Sequence, residues 1–191
     1  MSADPAKAIR DADFVFENTP VKIVANRNSP LIKLPGTKVG PFKEGKEYEV
    51  KYWVATELKK AGIVHIRMEE PLDVTTLNKI QWKERVQTSQ KLTSLPEDFY
   101  PKLRRYLEEL SAKAIKKPEK RADYDKAKNN SDDITRMRLK KIVALASSGR
   151  DQTGQILRFL TKEEKFVYEC LYEIINEWKT EILKPQGGDK P

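Results

Sequence analysis

Residues 39–62 read VGPFKEGKEYEVKYWVATELKKAG, and this stretch decides the fold class. Gly40-Pro41 bends the chain, because glycine reaches positive φ at little cost and proline fixes its own. Glu44-Gly45-Lys46 is a second turn. Tyr48-Glu49-Val50-Lys51-Tyr52 then alternates apolar with charged, as a half-buried strand does. Val54 to Ala61 reads as a short helix, and Gly62 stands where a C-terminal cap glycine belongs. Upstream, Val21-Lys22-Ile23-Val24-Ala25 is a strand, Asn26 to Pro30 a turn cluster and Leu31 to Leu34 a short strand. Pro35-Gly36 adds a further bend. Downstream, Ile63-Val64-His65-Ile66 closes the block as a last strand. Residues 1–68 are therefore expected to form a small β-rich domain, with residues 1–13 a flexible lead-in. Gly40, Pro41, Phe42 and Trp53 are its expected fold determinants.

Beyond a linker at 69–73 the pattern turns helical, over 74–184, so the fold class is α+β with the smaller unit first. Asp73 caps a helix running to about Gln90, and Ser94 and Pro96 mark the next start. Phe99, Leu103, Tyr106, Leu107 and Leu110 form a stripe at helical spacing. The polar stretch 117–131 reads as a mobile connection, after which Ser131 or Asp132 caps a third helix stopped by Ser147-Ser148-Gly149. Thr161 with Glu164 is a capping box opening a last helix that ends before Pro185. The tail 185–191 is expected to be disordered.

The last helix has more apolar surface than one core needs. Phe166, Val167, Tyr168, Cys170, Leu171, Ile174, Ile175, Trp178 and Ile182 cover roughly 200° of its circumference. The third helix repeats this, with Ile134 and Leu145 on one side and Leu139 and Val143 on the other. Two readings stand: a compact bundle with buried middle helices, or a face shared with a partner chain. On the second, the interface residues are Ile134, Leu139, Val143, Phe166, Tyr168, Leu171, Ile175 and Trp178.

Composition excludes several classes. One cysteine, Cys170, and one histidine, His65, leave no disulfide framework, Cys/His zinc site or His–His metal pair. A reducing, cytoplasmic setting fits that cysteine count. No apolar run approaches the ~18 residues of a membrane span. No phosphate-binding glycine loop, nucleophile elbow or paired catalytic group occurs, so neither an enzyme nor a cofactor is expected. His65 reads as structural and Cys170 as a small core hydrophobe.

The net charge of +8 is concentrated. Residues 101–141 hold fourteen basic and seven acidic side chains, a local balance of +7. Such a stretch is either a solvated helix face or a footprint for nucleic acid. In the latter case Lys102, Arg104, Arg105, Lys126, Lys128, Arg136 and Arg138 are the phosphate contacts, with Tyr100 and Tyr124 free for stacking. A stand-alone nucleic-acid-binding module is thus the competing reading.

The order of the pieces resembles a family. Val21-Lys22-Ile23-Val24, Leu34, Val39-Gly40-Pro41-Phe42, Val50, Trp53-Val54-Ala55 and Leu58-Lys59 look like the small β domain of GINS subunits. Leu95-Pro96, Phe99-Tyr100, Asp133-Ile134, Arg136, Lys141, Leu160-Thr161, Glu163-Glu164, Tyr168 and Leu171 resemble its helical domain. The resemblance covers residues 20 to 183 and is to the archaeal type with the small domain first. The stretch 117–131 has no counterpart. The resemblance implies a non-catalytic subunit that pairs with a second GINS subunit of reversed domain order, as a 2:2 heterotetramer. It further implies an accessory role for the MCM replicative helicase and a RecJ-like partner, with links to primase or polymerase. A nucleoid-associated location and at most weak or indirect DNA contact follow from it.

Overall fold

The computed structural model describes residues 4–34, 36–67, 72–87, 92–148 and 156–184. A small strand-bearing region comes first and a larger helical bundle follows, as expected from the sequence. Two compact units divide the chain, residues 10–71 and 72–191, and Met1–Ile9 group with the second.

Where a flexible lead-in was expected, α1 spans Pro5–Glu17. Asp4 accepts from the Lys7 amide at 3.2 Å and Pro5 occupies the first helical position, so a helix start is written there. Phe16 anchors its end, 4.6 Å from the ring of Tyr52.

The first unit pairs β1 (Pro20–Ala25), β4 (Glu47–Lys51) and β5 (Val64–Ile66) in an antiparallel sheet of order β4-β1-β5. Val21 stands opposite Val50, Ile23 opposite Tyr48 and Ala25 opposite Val64. A two-stranded hairpin, β2 (Ile32–Leu34) with β3 (Thr37–Val39), lies between them in sequence, and β3 is a strand the sequence reading missed. Helix α2 (Tyr52–Lys60) starts two residues earlier than expected and ends at Gly62, whose φ of 68° only glycine adopts freely. Ile23, Phe42, Val54, Ala55, Leu58 and Val64 form the core, with Trp53 packed partly buried against it. Phe42 is seated by reciprocal backbone hydrogen bonds with Ser29 at 2.8 and 2.9 Å and by the edge of Tyr48, 5.0 Å away. Gly40 makes the approach possible: its φ is 89°, and a Cβ there would lie 3.3 Å from the Phe42 ring.

The second unit holds α3 (Val74–Val86), α4 (Phe99–Lys116), α5 (Arg121–Ser147) and α6 (Lys162–Ile182). Asp73 caps α3 as read, accepting from the Thr76 amide at 2.6 Å. Helix α3 ends at Val86, short of the expected Gln90, which lies outside the described residues. The connection 117–131 is helical: after a single 3-10 turn at Pro118–Lys120, α5 begins ten residues before Ser131. Asn130 donates to Asn78 Oδ1 at 2.7 Å and Ser131 to the Ala127 carbonyl at 2.7 Å. Polar residues that would end an isolated helix are thereby satisfied inside this one. The pairs Asn78–Asn130, Gln81–Asp133 and Glu84–Arg138 climb together, so α3 and α5 run in the same direction. The capping box of α6 is formed in both directions, Thr161 with Glu164. The expected linker residues 69–71, the stop at Gly149 and the tail 185–191 lie outside the described residues.

Candidate partner-interaction surface

The inward face of α5 decides what remains for its outer face. Ile134, Arg138, Lys141, Ile142 and Leu145 recur at helical spacing and are all buried. Two of these five are cations, and they meet two buried carboxylates. Arg138 donates to Glu164 at 2.5 and 2.7 Å, to Glu84 at 2.7 Å, and to the carbonyls of Thr93 and Phe159 at 3.0 Å each. Lys141 donates to the Glu84 carboxylate at 2.6 Å and to its carbonyl at 3.0 Å. Burial works against the charge on Arg138, and Glu164 and Glu84 outweigh it, so its protonated form is held more firmly than usual. Tyr100 donates to Glu164 Oε1 at 2.8 Å; burial and that neighbouring carboxylate push its phenol well above its ordinary range.

This cluster corrects the phosphate-contact assignment. Arg138 is 0% exposed and engaged on every side, so it contacts no phosphate. Lys102, Arg104 and Arg105 are half-buried, with Arg105 donating to the Pro101 carbonyl and Arg104 lying 3.8 Å from Glu163. Arg136 pairs with Asp132, one turn away. Lys126 and Lys128 are exposed. Tyr100 is occupied by Glu164, and Tyr124 packs on the bundle core with Arg121 5.8 Å above its ring. With Arg138 and Lys141 matched by Glu84 and Glu164, acids outside the stretch, its outward balance falls from +7 to +5.

The expected interface residues separate in the same way. Ile134 and Tyr168 are buried in this chain's own bundle and face no partner. Phe166, Leu171 and Ile175 are half-buried. Leu139 and Val143 on α5 are exposed, one turn apart. On α6, Tyr168, Leu171, Tyr172 and Ile175 pack on the bundle, and Ile175 is the last apolar residue of the helix in that core cluster. Beyond it the helix continues for about two turns, ~10 Å, with its apolar residues uncovered. Trp178 is 62% exposed, and Ile174, Ile182 and Leu183 are exposed with it. At the end of α5, Lys179 of α6 donates to the Ser147 carbonyl at 3.1 Å. An apolar stripe that runs past its own core offers a ready anchor for a second chain.

Trp82 and Val86 on α3 are among the exposed apolar residues that the sequence reading did not single out. Their spacing of four was the available signal. Among the described residues no three of His, Cys, Asp and Glu gather as a metal site, and no helix is long and apolar enough to cross a membrane. The exposed His65 donates from Nδ1 to Asn26 Oδ1 at 2.6 Å, and Cys170 is half-buried.

Comparison with known proteins follows the two-unit division. A family model described as the PSF2 N-terminal domain matches residues 8–67, and one described as the GINS complex protein helical bundle domain matches residues 72–183. The chain is 31% identical over 97 residues to the DNA replication complex GINS protein PSF2 of Homo sapiens, an alignment covering 51% of each chain. It is 29% identical over 97 residues to the protein of the same description from Xenopus laevis, again over 51% of each. The aligned region thus spans about half the length of these curated relatives. The two matches follow one another as the two units do along the chain, and the chain belongs to the GINS family, its PSF2-like small domain ahead of its helical bundle.

Proposed function

We propose that this chain is a non-catalytic subunit of a GINS complex in DNA replication, acting as a scaffold rather than as an enzyme. The observation that carries the reading is the end of α6, where Trp178, Ile182 and Leu183 extend an apolar stripe beyond the last apolar residue of the helix in the core cluster. Leu139 and Val143 add a second uncovered pair on α5. In this reading a second GINS subunit with reversed domain order covers these faces, giving a 2:2 heterotetramer of the obligate, more hydrophobic interface class. The assembly serves the MCM helicase and a RecJ-like protein, with primase or polymerase as further contacts, at the nucleoid or nuclear replication fork. Membership of the GINS family and relatives described as replication-complex proteins support it.

Co-expression with the second subunit, followed by light scattering, tests the assembly. A mass equal to two copies of each chain is expected. A well-behaved monomer that ignores the second subunit would refute the reading. DNA contact is weak or indirect here, so affinity for a duplex should fall only gently with salt, because few phosphates are neutralised. A steep salt dependence for the isolated chain would favour the stand-alone nucleic-acid module instead.

A further inference from the structure

Helix α3 presents a stripe that the proposed assembly does not use. Lys79, Trp82, Lys83 and Val86 fall within about 100° of one another round the helix. Leu77, Ile80 and Glu84 are buried on the other side. Trp82 is 64% and Val86 62% exposed, with Lys79 and Lys83 exposed beside them. Residues four apart adjoin on a helix surface, so the indole and the isopropyl group make one apolar seam. The acid of α3, Glu84, is buried against Arg138 and Lys141. What α3 offers outward between Val74 and Val86 is therefore an apolar seam edged by cations with no carboxylate among them. Asp73, which caps the helix, has its carboxyl held low by its hydrogen bonds from Thr76 and, further, by the nearby charge of Lys79. Arg85, the remaining cation, lies 3.7 Å from Asp133 of α5.

We infer that this stripe docks an acidic amphipathic helix of a partner protein. Its apolar side chains close over Trp82 and Val86, and its carboxylates meet Lys79 and Lys83. Charge complementarity sets the sign of the partner, and the four-residue spacing of the apolar pair is the spacing at which helices pack. Single-stranded nucleic acid also uses aromatic and basic side chains, but it stacks on successive flat faces. Here the neighbour of Trp82 along the seam is aliphatic Val86. Tryptophan is among the residues enriched at binding hot spots.

The test uses the full chain and a dye-labelled, end-capped peptide of about 20 residues, long enough to hold a helix. It carries leucine at helical i, i+3, i+4 spacing and glutamate on both flanks. Fluorescence anisotropy should show saturable binding, weakened about 30-fold or more by Trp82→Ala. Lys79→Glu combined with Lys83→Glu should weaken it by about tenfold. Trp178→Ala, on a different helix, should leave it within about twofold. These side chains are exposed, so each variant should keep the parent's circular dichroism spectrum and melting temperature, and the lysine pair reports independently of Trp82. The inference fails if the peptide does not saturate, if a version with lysine for glutamate binds equally well, or if Trp82→Ala changes nothing. It also fails if Trp178→Ala causes the same loss. Binding of labelled oligothymidylate that disappears in Trp82→Ala would reassign the stripe to nucleic acid. None of these outcomes depends on whether the second GINS subunit assembles with the chain.

Discussion

Arg138 and Glu164 form a bidentate pair inside the helical bundle, Nε to Oε1 at 2.5 Å and Nη2 to Oε2 at 2.7 Å. Glu164 Oε2 also accepts the Thr161 amide at 3.0 Å, so one carboxylate both closes the capping box of α6 and ties that helix to α5. Removing the cation would leave Glu164 and Glu84 buried side by side without their shared partner. Arg138→Met should therefore destabilise the bundle by about 3–5 kcal/mol. Urea unfolding checks it, and Arg138→Lys should rescue only in part, since an ammonium lacks the planar fork.

Glu84 gives the acid response a sign. Burial pushes its carboxyl up, but hydrogen bonds from Lys141 and Thr93 and the charge of Arg138 outweigh this and hold it below the ordinary value of 4.5. A group depressed in the folded state stabilises fully above its unfolded value and loses that contribution as pH falls through the folded one. Stability should thus decline as pH drops below about 4.5. Glu84→Gln should be less stable at neutral pH and show a shallower acid limb, measurable from denaturant midpoints at stepped pH.

Gly40 is required by its backbone and by its neighbour. An alanine there would be held at a φ of 89° with its Cβ 3.3 Å from the Phe42 ring. Gly40→Ala should cost the small unit about 1–2 kcal/mol. Thermal melting monitored in the near ultraviolet, where Phe42 and Tyr48 report, should show the shift; an unchanged melt would contradict the seating described for Phe42.

Trp178 separates interface from fold. Its side chain is exposed, so Trp178→Ala should leave the isolated chain within about 0.5 kcal/mol of the parent. If a second subunit covers the end of α6, the same change should weaken assembly by about 2 kcal/mol or more, as loss of a hot-spot tryptophan does. Sedimentation of the co-expressed pair reads the second effect and denaturation of the single chain the first.

The sequence announced what repeats and what punctuates. Thr161 with Glu164, Asp73 before Val74, and Gly62 after a short helix are local signals whose chemistry works wherever the chain goes. The start of α5 was hidden because its first three turns are held from outside: Asn130 by Asn78, and Tyr124 and Ala127 by the core. Read locally, Asn129-Asn130-Ser131 is a turn. The ionic cluster was hidden by residue type, since Arg138 and Lys141 count as surface charges until Glu84 and Glu164 are seen to meet them. The one trace they left was position, in register with Ile134, Ile142 and Leu145. Helix α1 stands where a flexible lead-in was expected, although Asp4 and Pro5 at its start are a local helix-start signal.

The buried guanidinium also acts as an azimuthal key. A leucine in the place of Arg138 would tolerate rotation of α5 by tens of degrees, because apolar contacts are indifferent to direction. A planar fork bonded to two carboxylates and two carbonyls does not. With residue 138 fixed inward, Leu139 is turned about 100° away and Val143 about 140°. The bearing of the uncovered pair is therefore dialled from inside the bundle. A substitution in that polar core should misaim the outer face even where the helix itself survives.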